Sequence, residues 1–545
     1  MAATLDPIEL EILWQRLIAI MDEVDSIIVK TTFSTILRES RDFACILTDR
    51  DGRSLCQSQL STANFSAVYP LTAKVLLEHF PHDTLQPGDV LATNDPWYGT
   101  GHLPDYILLT PIFYKGTIVA CLGTVSHMSD VGGHLGEIEG DDVFSEGLRM
   151  PPFKLYEAGQ ENHMAFDIIG ANCRVPELLL GDLRAMAGAA KIGAERLCAF
   201  LEERHVDDIS DLAEEITKRS ESSMRQRIKA LPAGMYEYGL DIDGYIDTVH
   251  LHVSVEVRDA DIFVNYNGTS PESYKGAINS SYNSTLSSTM YPFKCALVPE
   301  IPNNEALFRP IHVDIPEHSI LNAKFPIAVK ARAKTTNNLN QVLFGALWPI
   351  FAEHAQACNG AIWPWVLRGS EEDYGNYLVD MLPHGGRGGQ PSMDGMLPVA
   401  YPNNSTITPC EILESNAPIL FNCKELRIDS AGAGQYRGGL GQIISFTHVG
   451  HAPMIFNLTP DRITTLPLGL AGGRPGKIGE VYINGQKTFL FPAIELLPGD
   501  KVELHIAGGG GFGDVHKRDK DAILRDLRLG YVSLEGVQSD YGFEP

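Results

Sequence analysis

No two cysteines of this 545-residue chain stand in a Cys-x-x-Cys pattern, and the nine present are an odd number, scattered singly. That spacing excludes a thiolate zinc ribbon and argues against a disulfide framework, which leaves small buried side chains in a reducing compartment. Long apolar runs are missing too. No stretch approaches the roughly 18 uninterrupted apolar residues that a membrane-crossing helix needs. The opening Met1-Ala2-Ala3-Thr4-Leu5-Asp6-Pro7 has no basic segment followed by an apolar one, so the expectation is a cytoplasmic protein. Positive charge is scarce: 43 Lys and Arg against 69 Asp and Glu give a net charge of -26. Such a surface repels phosphate backbones and anionic lipid, so neither nucleic acid nor membrane is expected as a partner. The chain also lacks a Gly-x-x-x-x-Gly-Lys-Ser/Thr loop, a His-Glu-x-x-His helix, a Gly-x-Ser-x-Gly elbow and any repeat of fixed period. ATP binding by a phosphate loop, zincin chemistry and an α/β-hydrolase nucleophile are left without their motifs.

What is present, 44% hydrophobic and 21% charged residues, is the composition of a globular protein too long for a single core. Asp6-Pro7-Ile8-Glu9 supplies an acidic cap, a proline at the first helical position and a glutamate at the third. Leu10, Leu13, Leu17, Ile20, Val24 and Ile27 then recur at helical spacing, which predicts an amphipathic helix over 7–30. Between 42 and 126 short apolar runs at 44–47, 90–92, 106–111 and 118–125, separated by Gly, Pro, Asn and Asp, predict strands and loops. Helical blocks at 183–203 and 209–230 predict a helical hairpin packed on those strands. Val249, Leu251, Val253, Val255 and Val257 alternate with polar residues, and the turn Arg258-Asp259-Ala260-Asp261 leads into Ile262-Phe263-Val264, which predicts a β-hairpin. From about 380 glycine and proline become dense around short strands at 443–446 and 501–506. The expected fold class is α+β in four regions: an N-terminal helix, strand and loop region over 1–175, a helical hairpin over 176–232, an α/β region over 233–380 and a β-rich region over 381–545.

Residues able to carry chemistry concentrate between 39 and 150. Asn94-Asp95-Pro96-Trp97-Tyr98-Gly99-Thr100-Gly101-His102-Leu103-Pro104-Asp105 sets a histidine and a carboxylate three residues apart after a glycine-rich loop. Ser126-His127-Met128-Ser129-Asp130-Val131-Gly132-Gly133-His134 repeats that theme one strand later. Two His-x-x-Asp units flanking one hairpin can gather imidazoles and carboxylates, a mixed N/O set suited to Zn²⁺, Mn²⁺ or Fe²⁺ more than to Ca²⁺ or Mg²⁺. A single such unit is common, and spacing alone leaves both a metal site and packed or solvated histidines open. The glycine runs Arg437-Gly438-Gly439-Leu440-Gly441 and Gly508-Gly509-Gly510-Gly511-Phe512-Gly513-Asp514 read as tight turns needing positive φ rather than phosphate cradles.

These motifs resemble the hydantoinase B/oxoprolinase family. The likeness is carried by Asp6-Pro7-Ile8, Glu39-Ser40-Arg41-Asp42-Phe43, Asn94-Asp95-Pro96 through Asp105, and His127 with Asp130-Val131-Gly132-Gly133. It continues in order through Glu146 to Pro152, Asp429 to Gly441, and the end of the chain near Asp540-Tyr541-Gly542. The resemblance implies a divalent metal (Zn²⁺, Mn²⁺ or Fe²⁺) held by His102, Asp105 and His127 with Asp42 as fourth ligand. Asp95, Asp130 and His134 are then orienting groups or proton carriers, or else turn and capping residues. It further implies a hetero-oligomer with a hydantoinase A-type subunit that spends ATP to phosphorylate a cyclic amide or ketone. In such a complex this chain serves as the metal-dependent catalytic subunit, most directly of an ATP-dependent hydantoin, lactam or oxoproline hydrolase. Two alternatives stand beside it: a subunit of an acetone- or acetophenone-type ketone carboxylase, and a scaffold paralogue without catalysis. One departure from the family pattern concerns Ser61-Thr62-Ala63-Asn64, where many members carry a histidine and this chain presents Asn64. An amide is neither a general base nor a good metal ligand, which shifts weight toward the carboxylase alternative.

Overall fold

The computed structural model describes residues 6–136, 138–351, 353–488 and 493–542. Its first helix, α1, runs Pro7–Thr31 and buries Leu10, Leu13, Leu17 and Val24 of the predicted stripe, together with Trp14, Ile18, Met21 and Ile28. The short α2 (Thr35–Arg38) leads into β1 (Phe43–Asp49) and β2 (Ser54–Gln57). Helix α3 (Ala63–His79) follows, then β3 (Val90–Thr93), β4 (Asp105–Tyr114), β5 (Thr117–His127), β6 (Phe153–Glu157) and β7 (Gln160–Glu161). The seven strands form one antiparallel sheet in the order β2-β1-β5-β4-β3-β6-β7. Helices cover both faces. Phe43, Cys45 and Leu47 of β1 join the core under α1 and α5, whereas Ala44 and Ile46 join Phe65, Tyr69, Ala73 and Leu76 of α3. Burial on both sides explains why β1 reads as a continuous apolar run instead of an alternating one.

Helix α3 corrects the expectation of strands and loops alone over 42–126. It carries Pro70 in its interior, a residue that removes a helical hydrogen bond. It is also wedged between the sheet and a later helix, so no polar stripe marks it. After α4 (His163–Asn172), helices α5 (Pro176–Arg204) and α6 (Ser210–Lys229) occupy the predicted helical blocks. They do not pack on one another as a hairpin. Helix α5 lies on α1, β4 and β5, while α6 contacts the second sheet and a 3₁₀ turn at Glu305–Phe308.

The second sheet is β8 (Gly234–Asp243), β9 (Thr248–Arg258), β10 (Asp261–Asn265) and β11 (Ile311–Asp314), in the order β11-β10-β9-β8. Val249, Leu251, Val253, Val255 and Val257 all face its core, and β10 pairs antiparallel with β9 as the alternation predicts. Helices α7 (Tyr282–Leu297), α8 (Arg332–Thr336) and α9 (Leu339–Leu347) lie between this sheet and the first. The C-terminal part opens with β12 (Trp365–Glu371) and β13 (Gly375–Met381), then α10 (Cys410–Asn416), β14 (Ile419–Leu426), β15 (Gln442–His448) and β16 (Met454–Leu458). It continues with β17 (Glu480–Ile483), β18 (Gln486–Thr488), β19 (Ile494–Leu496) and β20 (Lys501–His505). Two sheets, β13-β12-β16-β19 and β14-β15-β20-β17-β18, share one core in which Trp365 meets Phe446 at 5.7 Å between ring centres. The β-rich part therefore takes in 365–381. Helices α11 (Lys520–Arg528) and α12 (Leu534–Tyr541) close the described chain. The class is α+β, and no described helix is long and apolar enough to cross a membrane.

The glycine runs need another explanation than turns. Gly438, Gly439, Gly441 and Gly508 to Gly511 do not adopt positive φ; of the two runs only Gly513 does. Instead their backbones thread past one another. Gly386 N–H donates to Ala507, Gly439 N–H to Arg387, Gly509 N–H to Gly439, and Gly389 N–H to Gly510. A Cβ on Gly439 would come within 1.8 Å of the Met396 carbonyl oxygen, and one on Gly509 within 2.3 Å of that of Arg387. These positions need glycine because backbones approach where any side chain would stand.

Candidate active site

Strand register builds the site. The β4–β5 hairpin pairs Asp105 directly with His127, so the first residue of one strand and the last of the other are cross-strand neighbours with side chains on one face. On the other side of β5, β1 pairs Phe43 with Ser126, which brings Asp42 alongside; its carbonyl accepts the His127 N–H at 3.1 Å. His102 comes from the loop between β3 and β4. That loop turns through Gly101 at φ 97°, where a Cβ would lie 2.7 Å from Arg332 Cδ and 2.8 Å from Ser284 Cβ.

Asp105 is the hub. Its Oδ1 lies 2.7 Å from His102 Nε2 and 2.9 Å from His127 Nδ1, and its Oδ2 accepts from Thr100 Oγ1 at 2.5 Å and from Arg332 Nη2 at 2.8 Å. Burial by itself would raise the Asp105 carboxyl, but Arg332 and the hydrogen bond from His127 hold it well below the usual range. It is therefore ionised. His102 Nδ1 stands 2.9 Å from the Lys330 carbonyl, which can only accept, so Nδ1 carries the proton. Burial first, and Arg332 after it, hold the imidazole down at about 4. The neutral ring thus turns a bare Nε2 toward a carboxylate oxygen, and that buried nitrogen has no hydrogen-bond partner. Two lone pairs at 2.7 Å in a buried site repel unless a proton or a metal cation lies between them. One ligand atom each from His102, Asp105 and His127 lie within 4.8 Å of one another, and two imidazoles with a carboxylate suit a divalent transition ion.

Of the residues singled out in the sequence, these three come together. Asp42 lines the same cavity of about 90 Å³ but stands outside the tight cluster. Its carboxyl accepts from Thr62, and burial, opposed by His127, raises it to about 6. Asn64 lines that cavity too, its Oδ1 buried without a partner. Asp130 and His134 border a smaller cavity of about 50 Å³ on the far side of His127. There Asp130 accepts from Gly132 N–H and pairs with Arg174, and His134 is exposed. Asp95 accepts from Trp97 N–H at 2.9 Å and from Arg149 at 3.3 Å.

The rest of the cavity lining comes from residues that sequence reading passed over. Lys330, Arg332 and Lys334 project from one segment into or beside the cavity, each less than a tenth exposed. Lys334 Nζ donates to the Pro460 carbonyl and pairs with Asp461 at 3.2 Å; Lys330 Nζ donates to the His134 carbonyl. Asn338 and Gln341 continue this lining, and both accept from the fully buried Arg462. Asp380, raised to about 6 by burial and lying near His127, is a further buried carboxyl. The available signal is Lys330-Ala331-Arg332-Ala333-Lys334: three cations alternating with alanine and without an acid, in a chain rich in acids.

Fold and site together define a class: an α+β protein of several sheets with a buried cavity lined by imidazole, carboxylate and cationic side chains. Within that class the chain belongs to the hydantoinase B/oxoprolinase family, whose sequence profile matches residues 6–515. The B-type component of a D-/L-hydantoinase from Pseudomonas sp. (strain NS671) is 30% identical over 99% of this chain and 95% of its own length. The crystal structure of the ATP-dependent caprolactamase from Pseudomonas jessenii superposes with a TM-score of 0.91 at 26% identity, covering 99% of this chain and 96% of that one. A nucleotide-free acetone carboxylase structure gives a TM-score of 0.89 over 98% of this chain and 79% of that one; at 18% identity it shares the fold.

Proposed function

We propose that this chain is the metal-dependent subunit of an ATP-dependent cyclic amide hydrolase, which opens a ring that an A-type partner subunit has phosphorylated. The observation that carries this reading is the bare His102 Nε2 facing Asp105 Oδ1 at 2.7 Å in a buried site. His102, Asp105 and His127 would hold a Zn²⁺, Mn²⁺ or Fe²⁺ ion, with Asp42 as the fourth donor from the neighbouring strand. Such an ion supplies Lewis acidity, lowering the pKa of water or polarising the activated carbon. Two family relatives, the hydantoinase component and the ATP-dependent caprolactamase, support the substrate class.

The chain's own residues account for the rest. Arg332 keeps Asp105 ionised, and Lys330, whose Nζ donates to the His134 carbonyl, would offer its charge to a phosphorylated ring. Asn338, Gln341 and Asn64 offer amide hydrogen bonds to the ring's polar atoms. In the reaction water adds to the phosphorylated ring carbon, the C–N bond breaks with its electron pair and a proton going to nitrogen, and a second water releases phosphate. Asp130 and His134, behind His127, would pass protons toward solvent, and Asp95 would orient the loop that carries His102. One observation favours carboxylation of a ketone as a second reading: Asn64 places an amide, which takes no proton, at the cavity wall.

Reconstitution with the A-type subunit tests the proposal. Ring opening should require ATP, the partner and this chain, and His102→Ala should abolish product while ATP hydrolysis by the partner persists. Product from the partner alone, or near-normal product with His102→Ala, contradicts it. Consumption of bicarbonate with a ketone, and no ring opening, assigns the second reading.

A further inference from the structure

The inner cavity has a neighbour behind a thin wall. Residues 61–67 and 401–404 form the partition: Thr62, Asn64 and Asn403 face the inner cavity, while Ala63, Pro402 and Asn404 face an outer cleft of about 410 Å³. Tyr401 borders both, and its phenol oxygen is buried without a hydrogen-bond partner. The inner space, about 90 Å³, is large enough for several waters.

The outer cleft stands out by charge. The chain carries 69 acidic residues, yet among the described residues no Asp or Glu lines this cleft, and Lys294 and Arg387 do. Lys294 is occupied at the end of α7, its Nζ donating to the Val298 carbonyl at 2.8 Å and to that of Pro299 at 3.2 Å. Arg387 is not neutralised. Nε donates to Gln356 Oε1, Nη1 touches Met396 Sδ at 3.5 Å, and its guanidinium lies 5.1 Å from the Tyr401 ring centre. No ion pair to it is formed among the described residues. Its backbone is fixed by the glycine threads, since Arg387 N–H donates to Met396 and its carbonyl accepts from Gly439. A rigidly seated, unpaired guanidinium in an acid-free cleft presents the fork geometry that binds oxyanions.

We infer that the outer cleft is an anion subsite that takes an oxyanion against Arg387, beside Tyr401, on the far side of the partition from the inner cavity. It rests on the proposed function for the class of ligand, a carboxylate-bearing ring or phosphate. The chemistry fits the carboxylate of a ring substrate or a free phosphate ion.

The test is calorimetric titration of the metal-loaded chain with two probes that differ by one carboxylate, 5-oxoproline and 2-pyrrolidinone, and with inorganic phosphate as competitor. The parent protein should bind 5-oxoproline at least roughly tenfold more tightly, the scale of a charge-assisted pair. Arg387→Met should reduce that affinity to the level of 2-pyrrolidinone, and Arg387→Lys should restore part of it, with bound metal and melting unchanged in both. Phosphate that displaces 5-oxoproline only when Arg387 is present shows that the subsite takes phosphate as well as carboxylate. Equal affinity for the two rings, no measurable binding of either, or a preference that survives Arg387→Met overturns the inference. Failure of the proposed ring-opening chemistry reads differently: turnover is then absent in every variant while the Arg387-dependent preference stands.

Discussion

Glu146 gives its Oε1 to two backbone N–H groups, those of Val329 at 2.6 Å and Lys330 at 2.7 Å, while Oε2 is buried without a partner. It thereby seats the segment whose Lys330 carbonyl fixes the His102 tautomer and whose Arg332 grips Asp105. Burial drives its carboxyl up to about 7 against the pull of those N–H groups, from an ordinary 4.5. Because the folded value is the higher one, the stability this group contributes is complete below about 4.5 and is lost as pH rises through about 7. Glu146→Gln keeps the shape and removes the charge, so its melting should come close to the parent at pH 5 and exceed it at pH 8 by up to about 3 kcal/mol. Parallel pH profiles for the two proteins would show that another group titrates. At this scale the sequence shows the imidazoles and hides the cations. His102, Asp105 and His127 are readable because two short motifs flank one hairpin and strand register does the rest. Arg332 sits 227 residues from the Asp105 it holds, and nothing local to either residue signals that contact.

Elements follow the same logic. Helix α1 and strands β9 and β10 show clear periods because each buries one face, whereas α3 buries residues on several sides around Pro70 and shows none. The glycine runs mark an unusual backbone but not its kind, since a turn and a close approach both demand the missing Cβ. Two substitutions separate the effects. Gly439→Ala should cost at least about 2 kcal/mol, because its Cβ meets backbone that cannot yield. Gly188→Ala, on an open face of α5 with nothing within 4 Å, should instead stabilise by about 0.5–1 kcal/mol through helix propensity. Melting curves of the two variants should move in opposite directions. A neutral Gly439→Ala would mean that the threads are loosely packed.

For the whole molecule, composition and motif absence set expectations that solution work can check. The nine cysteines are all free, and nine thiols should titrate in denaturant without reductant. Under native conditions fewer should react, because burial raises the thiols of Cys45, Cys56, Cys121 and Cys358 above their ordinary range. Without a phosphate loop the isolated chain should turn over no ATP; appreciable turnover would overturn the division of labour with a partner. The central claim is that His102, Asp105 and His127 hold the ion on which ring opening depends. Elemental analysis of the purified protein, parent against His102→Ala, tests it most directly. About one transition-metal ion per chain is expected in the parent and an affinity weakened by at least roughly 10 to 100-fold in the variant, with melting preserved because a catalytic ion at the edge of one sheet contributes little to so large a fold. A parent that takes up no ion after loading, or a His102→Ala chain that keeps full occupancy, would contradict it.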